Sequence, residues 1–136
     1  MKVVDSSVWL EVATDGALAE RCAPHLADLA EVVTPTLVML EVYRVLRRND
    51  CERSAMTVVG EMEFTRTVPA DSLVAIVAAD LSLEYGLATA DAIIFATARL
   101  QPCELVTADA DFRGLPGVTL IEAGDADEAA SPEPGA

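Results

Sequence analysis

Four carboxylates stand in sequence surroundings where solvated surface residues do not belong. Asp5 directly follows the apolar pair Val3-Val4. Glu41 lies inside Leu37-Val38-Met39-Leu40-Glu41-Val42-Tyr43, and on a helix its neighbours one turn away are Leu37, Val38 and Val45. Asp91 opens Asp91-Ala92-Ile93-Ile94-Phe95-Ala96, and Asp109 comes just after Leu105-Val106-Thr107. An ionised carboxylate among apolar groups is costly unless it is partnered. Each acid has a local use: Asp5 as a helix cap, Glu41 paired with Arg44 or Arg48, Asp91 at a helix N-terminus, Asp109 and Asp111 in a turn. The economical alternative is that Asp5, Glu41, Asp91 and Asp109 converge. Carboxylates brought together repel and raise each other's pKa. A hard divalent cation such as Mg²⁺ or Mn²⁺ relieves that repulsion with oxygen ligands. It also turns a bound water into a nucleophile and stabilises charge on a phosphodiester oxygen.

Other chemistries are poorly supplied. The chain has one histidine, His25, so a ribonuclease built on paired histidines is excluded. A Ser-His-Asp arrangement would need His25 as its base, and nothing around His25 supports that. Cys22, Cys51 and Cys103 are odd in number and widely spaced. They read as reduced, mostly buried thiols, and with His25 as the sole further donor they disfavour structural zinc. Arg44, Arg47 and Arg48 form the densest basic patch. They are either a hold on an RNA backbone or a solvated helix end. Trp9 and Phe95 read as core.

The elements that must position these groups follow from periodicity. Strands are expected at Val3-Val4, 31–34, 66–68, 104–107 and 118–121. Helices are expected after Ser6 or Ser7 as cap, then over 17–29, 36–48, 52–64, 71–84 (stopped near Gly86) and 90–100 with Thr89 as cap. The strands are short, apolar on both faces and separated by helices. That predicts a three-layer α/β/α sandwich with a short parallel sheet. In such a sheet sites form beyond the carboxyl ends of the strands, where Asp5 and Asp109 both fall.

The whole chain has 136 residues, 52% hydrophobic and 24% charged, which suits one ordinary domain with a real core. We place that domain at 1–123, and expect 124–136, rich in Ala, Pro and acids, to be disordered. No apolar run is long enough to span a membrane, and the acid at position 5 comes too early for a secretory leader. The expected location is therefore the cytoplasm. The net charge of −14 opposes broad binding to nucleic acid. An RNA substrate then requires local basic patches or bound cations, and a few structured targets.

Taken together, Asp5-Ser6-Ser7-Val8, Glu41 in its apolar helix, Ala90-Asp91-Ala92-Ile93-Ile94 with Ala96-Thr97-Ala98, and Thr107-Ala108-Asp109-Ala110-Asp111-Phe112 resemble the PIN domain. More narrowly they resemble the VapC-type toxins of bacterial toxin–antitoxin (VapBC) pairs. The resemblance spans about residues 2–122. It implies a metal-dependent endoribonuclease with Asp5, Glu41, Asp91 and Asp109 as the metal-binding carboxylates, cutting RNA by metal-activated water. It implies Ser6 and Thr107 as hydroxyls beside the site, a homodimer, and a small VapB-like antitoxin that blocks the cleft. Asp111 is a fifth acid able to share the role of Asp109. Two rivals stay open: a catalytically inactive PIN-like binding protein, and an aspartate-based phosphotransferase. The latter usually has a second acid two residues after the first or a late lysine. Here Ser6, Ser7 and Val8 follow Asp5, and the one lysine is Lys2.

Overall fold

Among the described residues, three of the five strands are apolar on both faces, and the fold buries them accordingly. In the computed structural model, which describes residues 1–49 and 52–123, β1 is Lys2–Val4, β2 is Val32–Pro35 and β4 is Glu104–Thr107. Val3, Val4, Val32, Val33, Leu105 and Val106 are at most 1% exposed. The shorter edge strands, β3 (Arg66–Val68) and β5 (Val118–Leu120), are more open to solvent. All pairings are parallel, in the order β3-β2-β1-β4-β5.

The helices are α1 (Ser6–Ala13), α2 (Ala19–Cys22), α3 (Thr36–Arg48), α4 (Glu52–Met62), α5 (Ser72–Tyr85) and α6 (Thr89–Leu100). The chain winds outward from β1 through β2 to β3, then returns past them to β4. Right-handed crossovers therefore place α1–α4 on one face and α5–α6 on the other. This is the three-layer sandwich expected. The winding direction reverses between β1 and β4, and it is at such a switch point that a crevice opens beyond the strand ends.

Local signals explain most element ends. Asp71 caps α5 by accepting the Val74 N–H at 3.0 Å. Gly86 ends α5 in the left-handed region at φ 70°, where a Cβ is disfavoured. The helix expected over 17–29 is not continuous: α2 has four residues and gives way to the 3₁₀ turns Ala23–Leu26 and Leu29–Glu31. Pro24 has no N–H to offer, and its ring crowds the carbonyl four residues earlier. The apolar face survives the break, because Cys22 is buried and Leu18, Leu26 and Leu29 pack against the core. The expected caps also differ. The N-cap positions of α1 and α6 are Asp5 and Ala88, and neither side chain caps its helix.

Trp9 and Phe95 lie in the core at 3% and 2% exposure. Cys22 is a buried free thiol and Cys103 a half-buried one. Cys51 and the expected acidic tail lie outside the described residues. No described helix is by itself long and apolar enough to cross a membrane.

Candidate metal centre

The site is built at the β1–β4 boundary. β1 and β4 run in register, with Val4 opposite Val106. The Asp5 N–H continues that ladder by donating to the Val106 carbonyl at 2.9 Å. Asp5 is thus held by the sheet itself, at 3% exposure. Its Oδ2 accepts hydrogen bonds from Ser7 Oγ at 2.7 Å and Thr107 Oγ1 at 2.8 Å. Glu41, half-buried on α3, accepts from Ser6 Oγ at 2.9 Å. The Ser6 hydroxyl lies 3.5 Å from Asp5 Oδ1, so it stands between the two acids.

Asp91 sits in the first turn of α6, which packs against both β1 and β4. Asp109 leaves β4 at the head of the 3₁₀ turn Ala110–Phe112 and accepts the Asp111 N–H at 2.9 Å. Phe112, fully buried, anchors that turn. One carboxylate oxygen from each of Asp91, Asp109 and Asp111 lies within 4.8 Å of the others.

Electrostatics report the crowding. Burial pushes Asp91 up to about 6, and the charges of Asp109, Asp5, Asp111 and Glu41 push in the same direction. Burial also raises Glu41, with Asp5 and Asp109 adding to it while the Ser6 hydrogen bond and Arg44 oppose. All five acids therefore act on one region. Their donors are all oxygen, and the repulsion between them is the kind a hard divalent cation relieves. The set suits Mg²⁺ or Mn²⁺ far better than a thiophilic metal.

The local uses of these acids are only partly realised. Asp5 occupies a cap position but caps nothing. Among the described residues no ion pair joins Glu41 to Arg44 or Arg48. Asp91 does face the N-terminal end of a helix, and Asp109 does close a turn. Ser6 and Thr107 both lie at the site, and Asp111 lies beside Asp91 and Asp109.

Ser7, which the sequence predicts only as a helix cap, belongs to the site as well. Its signal was present: a second hydroxyl two residues past a strand-end acid, within reach of that acid's side chain. The basic patch lies exposed at the end of α3. Arg47 donates to the Tyr43 hydroxyl at 3.0 Å and stacks 5.7 Å from its ring centre. His25 is held at the opposite end of the strands, 3.2 Å from Lys2 Nζ at the start of β1. Burial lowers its pKa, as does Lys2.

No curated protein sequence matches this chain significantly. Solved structures do. A toxin–antitoxin complex from Klebsiella pneumoniae superposes with a TM-score of 0.76 at 23% identity, over 90% of this chain and 98% of that one. VapC20 of Mycobacterium tuberculosis, a sarcin-ricin-loop-cleaving toxin, gives 0.75 at 18% identity over 90% and 100%. DNA-bound VapBC of Salmonella typhimurium gives 0.69 at 15% identity over 88% and 95%. At these identities the likeness shows the shared fold. The sequence profile of the PIN domain spans residues 2–118, most of the chain. With β1, the strand-end acids and the α6 acid all inside that span, the chain belongs to the PIN domain family.

Proposed function

We propose that this protein is a Mg²⁺- or Mn²⁺-dependent endoribonuclease, the toxin of a type II toxin–antitoxin pair. The observation that carries the reading is the crowding of Asp91 with four further carboxylates at the β1–β4 switch point. Asp5, Glu41, Asp91 and Asp109 are the residues that would hold the ion, with Asp111 able to share the place of Asp109. The ion supplies an acidified water and a positive centre for the scissile phosphate. Asp5 and Glu41 are kept in place by the hydroxyls of Ser6, Ser7 and Thr107.

Arg44 is the cation one turn along α3 from Glu41, and its field already reaches that carboxylate. With Arg47 and Arg48 it offers the RNA backbone a positive approach on an otherwise acidic protein. Such a surface favours a few folded RNA targets over general binding.

The partner in this reading is a small VapB-like antitoxin that lays a basic side chain against the acids. The toxin–antitoxin assemblies among the structural neighbours support such a partner. A second copy of the chain is the other expected partner. Helix α5 exposes Leu73, Ile76 and Leu83 beside a groove of about 450 Å³ lined by Ala75, Ala79, Ala92 and Ile93. The protein would act in the cytoplasm, where its RNA is.

The test is cleavage of structured RNA with added Mn²⁺ by wild type, Asp5→Asn and Asp91→Asn. Loss of turnover by orders of magnitude in both folded variants is the expected result. Unchanged rates in both would discard the catalytic assignment and leave a binding protein of PIN fold.

A further inference from the structure

The Ser7 hydroxyl spends its single proton on Asp5 Oδ2 at 2.7 Å and accepts the Ala108 N–H at 2.9 Å. Thr107 mirrors it. Its proton goes to the same Oδ2 at 2.8 Å, and its oxygen accepts the Asp109 N–H at 3.0 Å. A hydroxyl has one proton to give. With both protons committed, the 3.3 Å approach of the two hydroxyl oxygens is a packing contact. Oδ2 thus carries two charge-assisted hydrogen bonds. Oδ1 has only Ser6 Oγ at 3.5 Å, and the Ser6 proton goes to Glu41 at 2.9 Å. Among the described residues Asp5 therefore has one anchored oxygen and one without a close donor.

We propose that Ser7 is a positioning residue that, together with Thr107, pins Oδ2 of Asp5 and so reserves Oδ1 for the divalent cation. This rests on the metal-site reading above. The two oxygens of a free carboxylate are equivalent, and its terminal torsion is soft. Two hydroxyls on one oxygen remove that freedom before any ion arrives, as the hydrogen-bonded supports of metal ligands generally do. The same two hydroxyls hold the N–H groups of Ala108 and Asp109. The point where Asp109 leaves β4 is therefore set relative to Asp5, although about a hundred residues separate them.

The experiment is calorimetric titration of Mn²⁺ into the EDTA-stripped full chain, for wild type, Ser7→Ala, Ser7→Thr and Thr107→Val. Ser7→Ala is expected to bind Mn²⁺ about 10–100-fold more weakly. Ser7→Thr, which keeps the hydroxyl, should stay within a few-fold of wild type. RNA cleavage by Ser7→Ala should recover as Mn²⁺ is raised, so the loss lies in the metal requirement and not in kcat. Thr107→Val removes the other hydroxyl at similar volume and should weaken binding likewise; it decides the matter if Ser7→Ala does not fold. Mn²⁺ affinity in Ser7→Ala (or in Thr107→Val in its place) within about twofold of wild type, below the 10–100-fold expected, would overturn the proposal. Equal weakening in Ser7→Thr would overturn it too, by showing that packing and not the hydroxyl matters. Absence of Mn²⁺ binding in wild type would bring down the metal-site reading itself, and Ser7 with it.

Discussion

Asp91 holds its proton more tightly in the fold than in the unfolded chain. Its pKa stands at about 6 in the fold against the model-peptide value of about 3.9. Between those two values the folded state binds more protons than the unfolded one, so raising the pH weakens the fold. The penalty is complete above the folded pKa and vanishes below the unfolded one. Asp91→Asn removes the charge that suffers it. In thermal melts with EDTA, this variant should gain a few degrees over wild type at neutral pH. The gain should shrink as the pH falls through about 6 and disappear near 4. A variant no more stable than wild type at neutral pH would show that neither burial nor the neighbouring carboxylates penalise the Asp91 charge. The same competition between proton and ion means that Mn²⁺ binding should weaken as the pH drops through that range.

At the scale of elements, the site depends on helices that end where they should. Helix α5 is apolar nearly all round, so amphipathicity alone does not set its limits; its caps do. Asp71→Ala should cost about 1 kcal/mol by freeing the Val74 N–H. Gly86→Ala should cost about 1–2 kcal/mol. A Cβ there meets nothing within 4 Å, so the cost is backbone strain alone. Urea midpoints for both should fall with the slope of the transition unchanged. A neutral Gly86→Ala would mean that the left-handed conformation is not required. The broken segment around Pro24 teaches the converse. Its apolar spacing predicts one helix, and Pro24 breaks it. Spacing determines which face is buried, and Pro24 determines which backbone delivers that face.

At the scale of the molecule, a net charge of −14 repels itself and is concentrated further by the carboxylates at the switch point. An ion that binds only the folded state stabilises it by mass action, about 2.7 kcal/mol at a hundred times its Kd. Millimolar Mg²⁺ or Mn²⁺ should therefore raise Tm well beyond NaCl of equal ionic strength, which only screens. Asp5→Asn should lose the difference and keep the NaCl response. Equal shifts with the two salts would leave only general screening.

The sequence by itself determined the layer architecture, because a few short strands apolar on both faces and separated by helices are buried as a parallel sheet covered on both sides. It also determined that Asp5 and Asp109 follow strands and that Asp91 begins a helix, since those are facts of local order. Only the tertiary structure decided what those acids touch. Strand order and the Val4–Val106 register brought Thr107 to Asp5 across 102 residues. They seated the Ser7 hydroxyl against the Ala108 N–H across 101 residues and drew Asp111 up beside Asp91 and Asp109. The division has a physical reason. Periodicity and capping are properties of a few consecutive residues, whereas the partner of a strand-end side chain is set by whichever neighbouring strand ends beside it.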